Sequence, residues 1–343
     1  MSGGAVVIVL PGADPESVRR ALVARGLWPV RLERTGRVAF RLESHGSRVD
    51  LDALERLEGV ERVLAPPSTT PRLDAQPPIV RIAGRPVGIG QRPLIVAGPC
   101  AVESEERLLA IARRLSTMGV PLLRGGAFKP RTSPYAFRGH GPRALRWLAD
   151  VARDCGMGVV TEALSELDVD AVAEVADIVQ IGSRNMHDHA LLRAVGATGR
   201  PILLKRGMAA TIDEWLASAE CALLSGAPFV LPCERGIRGF DPSTRNVLDV
   251  GAIALLTARG LPVLADPSHA AGRRDLVLPL ARAALAAGAV GLIVEVHDAP
   301  EHALSDGPQA LDPDELGLLL RELERAGAIR PARPPEVREE LSP

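Results

Sequence analysis

The chain has 343 residues, 46% of them hydrophobic and 24% charged, with a formal net charge of -1 at pH 7. That length suits one large domain plus a small one, and the near-zero charge argues against a nucleic-acid or membrane partner while leaving small anions allowed. Cys100, Cys155, Cys221 and Cys233 form no CxxC pair and are too few for a disulfide scaffold; with no leader-like segment or long apolar span, a cytoplasmic protein is expected.

Residues 5–66 read as βαββαβ. AVVIVL is a strand, and DPESVRRALVARG is a helix with Asp14 as N-cap and Gly26 as its stop. WPVRLE and VAFRLE are strands about a turn at Thr35-Gly36, VDLDALERL is a second helix, and VERVLAP closes the unit. Such a ferredoxin-like module suits ligand sensing and suits oligomer formation nearly as well. APPSTTPRLDAQPP reads as a linker, and PIVRIAGRPVGIG as a β-hairpin placed as a lid on the bottom of the large domain. The expected boundaries are 1–68 for the small domain, 69–92 for linker and hairpin, 93–330 for the large domain and 331–343 for a loose tail.

From Pro93 a strand–helix unit recurs eight times. The strands are LIVAGPC, PLLRGG, GVVTE, DIVQIG, PILLKRG, FVLPCERG, PVLADPS and GLIVEVH. The helices fall near 103–117, 142–155, 165–176, 188–195, 211–225, 246–259, 275–287 and 313–326. Short, continuously apolar strands between amphipathic helices predict a covered parallel sheet, and eight units predict a (β/α)8 TIM barrel. An open doubly wound sheet is the rival, but no GxGxxG follows a first strand.

In this fold the C-terminal strand ends form the active-site face. Here they carry Cys100, Arg124, Lys129, Glu162, Arg184, Lys205, Arg235, Asp266, His269 and Glu295. Lys129 and Lys205 are the only lysines among 41 basic residues, and each follows a short apolar run, where a compact point charge has a use an arginine fork lacks. Arg124, Lys129, Arg131, Arg184, Lys205 and Arg235 at one mouth would repel one another, so they imply an anion bearing more than one phosphate or carboxylate. Pairing of single arginines with Glu162, Glu234 or Asp266 is the alternative. Cys100, His269, Glu295 and Asp306 offer mixed S, N and O donors suited to a borderline divalent ion, since strands one and eight are neighbours in a closed barrel. Taken alone, Cys100 is more often a small buried apolar side chain and Asp306 a turn residue of LSDG. His297 shares the strand face of Glu295 or supports the set from behind; His45, His187, His189 and His302 carry weaker signals.

GPCAVES, LLRGGAFKPRTSPYAFRGHG, DIVQIGSRNM, LLKRG, CERGIRGFDPSTRN, DPSHAAGRRDLVLPLARAA, GLIVEVH and ALSDGPQ occur in this order. Together they resemble 3-deoxy-D-arabino-heptulosonate 7-phosphate (DAHP) synthase, in its type I-beta branch with an N-terminal ferredoxin-like domain. The resemblance spans about residues 5–325. It implies condensation of phosphoenolpyruvate with D-erythrose 4-phosphate and water to give DAHP and phosphate, the first step of the shikimate pathway. It implies Cys100, His269, Glu295 and Asp306 as ligands of a divalent metal, manganese foremost, with cobalt, iron or zinc as alternatives and no organic cofactor. Arg124, Lys129, Arg184, Lys205 and Arg235 would surround phosphoenolpyruvate, with Ser183 beside its phosphate. Arg131 and Thr132, with Ser133 as neighbour, would grip the sugar phosphate. His269 and Lys129 would stand at the reacting centre, and Glu162, a metal-bound water or a ligand carboxylate would take a proton from water.

The family also implies homotetramers, feedback inhibition by tyrosine or phenylalanine through the small domain, and association with chorismate mutase; residues 5–66 show no amino-acid pocket that decides the effector. Ala270 and Ala271 replace the usual Ser and Gly after the metal histidine, and MAATIDE replaces a bulkier stretch after LLKRG. The sister reaction with arabinose 5-phosphate is disfavoured because KPRTS stands where a KANRSS-like segment is associated with that enzyme. A non-catalytic barrel that binds an aromatic metabolite or a partner is the alternative from another class.

Overall fold

Alternation decides the N-terminal unit. In the computed structural model, which describes residues 4–43, 50–129, 135 and 137–327, this unit comprises β1 (Val6–Val9), α1 (Pro15–Val23), β2 (Pro29–Arg34), β3 (Arg37–Leu42), α2 (Leu51–Glu55) and β4 (Val60–Leu64). Val7, Val9, Phe40 and Leu42 turn to one face and are buried with Val18, Leu22 and Leu54 of the two helices. The sheet order is β2-β3-β1-β4, antiparallel throughout, as a ferredoxin-like unit requires. Asp14 accepts hydrogen bonds from Glu16 N and Ser17 N at the start of α1. Thr35 and Gly36 have φ of 50° and 74°, the paired left-handed conformation of a two-residue hairpin turn.

The segment read as a linker holds a helical turn, α3 (Pro71–Asp74), docked on the barrel. Glu220 accepts from Arg72 N and Leu73 N, each at 2.9 Å, and Asp74 accepts from the Arg259 guanidinium at 2.6 Å. Gln76 exchanges two bonds with the backbone of Val230. Composition reports turn residues but not these distant partners, so the docking had no local signal. The hairpin of β5 (Ile79–Ile82) and β6 (Arg85–Gly88) packs Val80, Ile82 and Val87 against Leu94, Leu122, Ile178 and Leu203, the first or second residues of barrel strands. It plugs the N-terminal end of the barrel.

The barrel strands are β7 (Leu94–Gly98), β8 (Leu122–Arg124), β9 (Gly158–Ala163), β10 (Ile178–Ile181), β11 (Ile202–Lys205), β12 (Val230–Glu234), β13 (Leu264–Ala265) and β14 (Gly291–Glu295). All neighbours are parallel, and β14 pairs with β7 from Gly291↔Leu94 to Glu295↔Gly98, which closes the ring. Around it lie α4 (Glu105–Thr117), α5 (Pro142–Asp154), α6 (Val169–Val175), α7 (His189–Ala197), α8 (Ile212–Leu224), α9 (Val250–Ala258), α10 (Pro267–Ala271), α11 (Val277–Ala286) and α12 (Pro313–Arg325). Most of the eight barrel strands are buried along their whole length, since helices cover one side and the packed interior the other. Gly98 has φ of 150°, and a Cβ there would lie 2.1 Å from Arg124 O; glycine is what lets β7 approach β8 below the site.

Strand β13 is shorter than the expected run PVLADPS, because α10 takes up Pro267 and Ser268. Asp266 ends the strand and caps the helix, accepting from His269 N at 2.9 Å, while Pro267 has no N–H with which to continue the ladder.

Burial would raise the Asp74 carboxyl, but its bonds from Ser68 and Arg259 hold it below its ordinary value of 3.8. A depressed carboxylate contributes stability above the unfolded value and loses it as pH falls through the folded one. Asp74→Asn is therefore expected to lower the thermal unfolding midpoint at neutral pH, with the gap from the parent narrowing as pH falls below 3.8. Calorimetry across that range checks it; a gap independent of pH would show that the pair carries no charge-dependent stability.

Candidate active site and metal cluster

Each strand end delivers its side chain to one place. Arg124, Lys205 and Glu295 are the last residues of β8, β11 and β14; Cys100, Ser183, Arg184 and Arg235 follow β7, β10 and β12 by one to three residues. His269 rides on α10, and Asp306 lies in the loop between β14 and α12. With Lys129, Glu162 and Arg245 these residues surround a cavity of about 110 Å³, Glu295 standing directly behind its wall.

Cys100, His269, Glu295 and Asp306 place one donor atom each within 4.8 Å of one another. Asp306 Oδ2 is 3.1 Å from Cys100 Sγ, and His269 Nε2 is 3.4 Å from Glu295 Oε1 and 3.8 Å from Asp306 Oδ2. Burial, then the charges of Glu295 and Asp306, push the Cys100 thiol up to about 12. Burial lowers the His269 pKa and so favours the neutral ring a metal needs. Its Nδ1 lies 2.8 Å from Asp266 Oδ2, which turns Nε2 toward the other donors. Two carboxylates crowded against a thiol in a buried pocket are an unfavourable arrangement that a cation would relieve. Thiol, imidazole and carboxylates together fit a divalent first-row ion.

The cations divide into two kinds, which revises the expectation that all of them await an anion. Arg124 donates to Glu295 at 2.6 Å, Lys205 to Asp266 at 2.5 Å, and Arg245 to Asp306 at 3.1 Å. Lys129 Nζ lies 3.2 Å from Cys100 Sγ, between the cluster and the cavity. Arg184 and Arg235 make no ion pair among the described residues. Arg235 Nη1 and Ser183 Oγ are buried without a hydrogen-bond partner, and burial depresses the Arg235 pKa. Orphaned buried polar atoms are rare in native proteins and point to a missing partner. A guanidinium donor can be satisfied only by an acceptor, and an anionic oxygen is the strongest one.

Glu162 faces the same cavity and accepts from Gln180 at 3.1 Å. A Cβ at Gly182 would lie 2.0 Å from Glu162 Oε1, so that glycine keeps the carboxylate's place open. Arg131, Thr132 and Ser133 lie outside the described residues. His297 is buried but turns to Glu103 rather than to the four donors; His187, His189 and His302 are exposed, and His45 lies outside the described residues.

Sequence reasoning passed over Arg206, Arg245 and Gln309, whereas Glu234, named as an arginine partner, has that role. Glu234 turns away from the cavity to pair with Arg206, whose Nη1 also meets Asp249 at 2.8 Å; Glu234 Oε1 accepts from Gly236 N at 2.7 Å and pins the turn that carries Arg235. Gln309 donates to Glu295, and Arg245 joins Asp306 to Gln309. The Arg206–Glu234 pair had a signal, in the doubled polar ends of LLKRG and CERG. Arg245 and Gln309 had none short of knowing which loops meet.

Residues 78–328 match the DAHP synthetase I family. The chain belongs to that family. A phospho-2-dehydro-3-deoxyheptonate aldolase of Thermotoga maritima is 43% identical over 328 residues, covering 93% of this chain and 97% of the relative. A 2-dehydro-3-deoxyphosphooctonate aldolase of Acidithiobacillus ferrooxidans is 34% identical over 264 residues, covering 71% of this chain and 93% of its own. The crystal structure of the Thermotoga maritima DAHP synthase superposes with a TM-score of 0.73 at 41% identity, covering 95% of this chain and 99% of that one. A truncated form of that enzyme covers 74% of this chain with a TM-score of 0.68.

Within this DAHP synthetase I family member, the departures after His269 are accommodated in the backbone. Ala270 and Ala271 are fully buried, and their carbonyls accept from Asn246 N and Arg245 N. They hold the segment that carries Arg245 without placing a side chain in the cavity. Of the other departure, Met208 lines the cavity and the Ala210 carbonyl accepts from Arg206 Nε.

Cys100→Ala is expected to leave the fold intact and weaken divalent-metal binding on the order of 100-fold or more. Metal content after gel filtration, measured beside the parent protein, checks it; equal content in both would remove Cys100 from the ligand set.

Proposed function

We propose that this protein is a type I-beta DAHP synthase that condenses phosphoenolpyruvate with erythrose 4-phosphate. The observation that carries the reading is the pairing of a largely buried four-donor cluster with the unpartnered Arg235 Nη1 and Ser183 Oγ across one cavity. Such a site takes an anion and a polarisable oxygen together. The breadth of the heptonate aldolase likeness supports the sugar assignment, since it covers 93% of this chain against 71% for the octonate aldolase.

In this reading Arg184, Arg235 and Ser183 hold the phosphate of phosphoenolpyruvate, and Arg124 and Lys205 stand at its carboxylate. Arg131, Thr132 and Ser133 hold the sugar phosphate, which fixes C3 of the enol against the aldehyde carbon. Cys100, His269, Glu295 and Asp306 would hold a divalent ion, manganese foremost, which would supply Lewis acidity toward the aldehyde oxygen. Lys129, beside Cys100, gives that oxygen a proton as the C–C bond forms. Positive character at C2 is then captured by water, and Glu162 takes the water's proton because no cation neutralises it among the described residues. The hemiketal phosphate breaks its C–O bond, and Arg235 and Arg184 accept the departing phosphate's charge. The small domain is assigned to tyrosine or phenylalanine feedback within a homotetramer. Partnership with a chorismate mutase and a cytoplasmic setting complete the reading.

Two measurements test this. Metal-stripped enzyme reloaded with Mn2+ should consume phosphoenolpyruvate with erythrose 4-phosphate and hardly at all with arabinose 5-phosphate; preference for the five-carbon sugar would move the assignment to octulosonate synthesis. Arg235→Met should reduce kcat/KM for phosphoenolpyruvate by about 10–100-fold, as expected for losing a hydrogen bond to a charged group. An unchanged value would separate Arg235 from substrate.

A further inference from the structure

Glu103 lies three residues beyond Cys100, with its side chain only 10% exposed. Its Oε1 accepts the Leu304 N–H at 2.7 Å and lies 3.3 Å from His297 Nε2. His297 follows Glu295 by two residues and is 2% exposed. Its Nδ1 accepts the Ala299 N–H at 3.1 Å. Nε2 of the ring thus faces the Glu103 carboxylate, while Nδ1 also lies 3.3 Å from Asp298 Oδ1. Arg107 completes the charge balance, with Nη1 3.3 Å from Asp298 Oδ1 and Nε 3.9 Å from Glu103 Oε2. Its Nη1 also stands 3.5 Å from His297 Nε2, farther than the carboxylate oxygen.

One carboxylate oxygen thus gathers both ends of the segment 297–304. Directly after that segment come Ser305, whose Oγ is 3.1 Å from Cys100 Sγ, and Asp306. Asp306 sits at φ 56°, in the left-handed region that aspartate tolerates better than most side chains. The bond at Leu304 N lies two residues before this position. Glu103 is absent from the described residues lining the cavity, and the reaction sequence proposed for the site makes no use of it.

We infer that Glu103, with His297, is a positioning residue that sets the Leu304–Asp306 segment so that Asp306 meets the other three donors. The carboxylate joins the chain segments of Cys100, Glu295 and Asp306, three of the four ligands, without touching a ligand atom. This rests on the metal-cluster reading, and the test separates the two.

Metal-stripped, full-length protein is titrated with Co2+, followed by the thiolate-to-cobalt absorption. Glu103→Ala is expected to weaken the Co2+ Kd by about 10–100-fold, the range for groups that orient ligands, with the metal-free unfolding temperature unchanged. Glu103→Gln keeps an acceptor for the Leu304 N–H and should recover most of the affinity. Leu304→Pro removes the donor from the other side at an exposed residue. The preceding Ala303 already has φ -63° and ψ 131°, which a following proline prefers, so this variant carries the test if Glu103→Ala does not fold. Folded Glu103→Ala and Leu304→Pro proteins that bind Co2+ within about two-fold of the parent would overturn the positioning role. A parent protein with no thiolate absorption would overturn the metal reading itself, and the positioning role with it.

Discussion

The carboxylate of Asp266 is the interaction on which the site depends. It is fully buried, and its two oxygens do three things: one caps α10 at His269 N, and the other meets Lys205 Nζ and His269 Nδ1. The cation side of the cavity and the donor cluster therefore hang from one group. Burial alone would raise its pKa, but His269 and Lys205 hold it well below the usual aspartate value, so it stays an anion in the barrel interior. A buried pair of this kind is weak evidence for stability, because desolvation offsets its attraction. It is better understood as a device for orientation. It ends a strand, starts a helix and aims an imidazole within a few residues.

A division of labour among the charges comes out of that arrangement. Arg124, Lys205 and Arg245 are neutralised by Glu295, Asp266 and Asp306, and so can stand close together without strong mutual repulsion. Among the described residues Arg184 and Arg235 are left over. The turn of Arg235 is pinned by Glu234, which is held in turn by Arg206, so its unpaired guanidinium is presented on a rigid support. Preorganised charge of this kind interacts with an entering anion without first having to reorganise.

The barrel was legible because each strand is a short apolar run bounded by glycine or proline, and α4, α7, α8, α9 and α12 begin with capping side chains at Ser104, Asp188, Thr211, Asp249 and Asp312. The four donors were legible as a set only through the rule that the C-terminal strand ends face one mouth, together with the neighbourhood of the first and last strands. What was not legible involves pairs far apart in the chain. No local pattern announces that Glu220 receives the N–H groups of Arg72 and Leu73, or that Arg245 reaches Asp306 and Gln309. Charge was also over-read: a list of cations at one mouth does not reveal which are already matched by carboxylates behind them. The short helix α10 was missed because Ala-Ala after a histidine looks like the tail of a loop until Asp266 is known to cap it.

The ring closes between its first and last strands, and the donor cluster straddles that seam. Cys100 and Asp306 are 206 residues apart in sequence, yet their side chains touch. During synthesis the thiol is made early and stays without its partners until nearly the whole barrel has left the ribosome. A lone cysteine on an unfinished barrel has little selectivity among soft ions, whereas the finished quartet imposes its mixed donor set. The four donors meet only on closure, and an ion held there would tie the beginning of the barrel to its end.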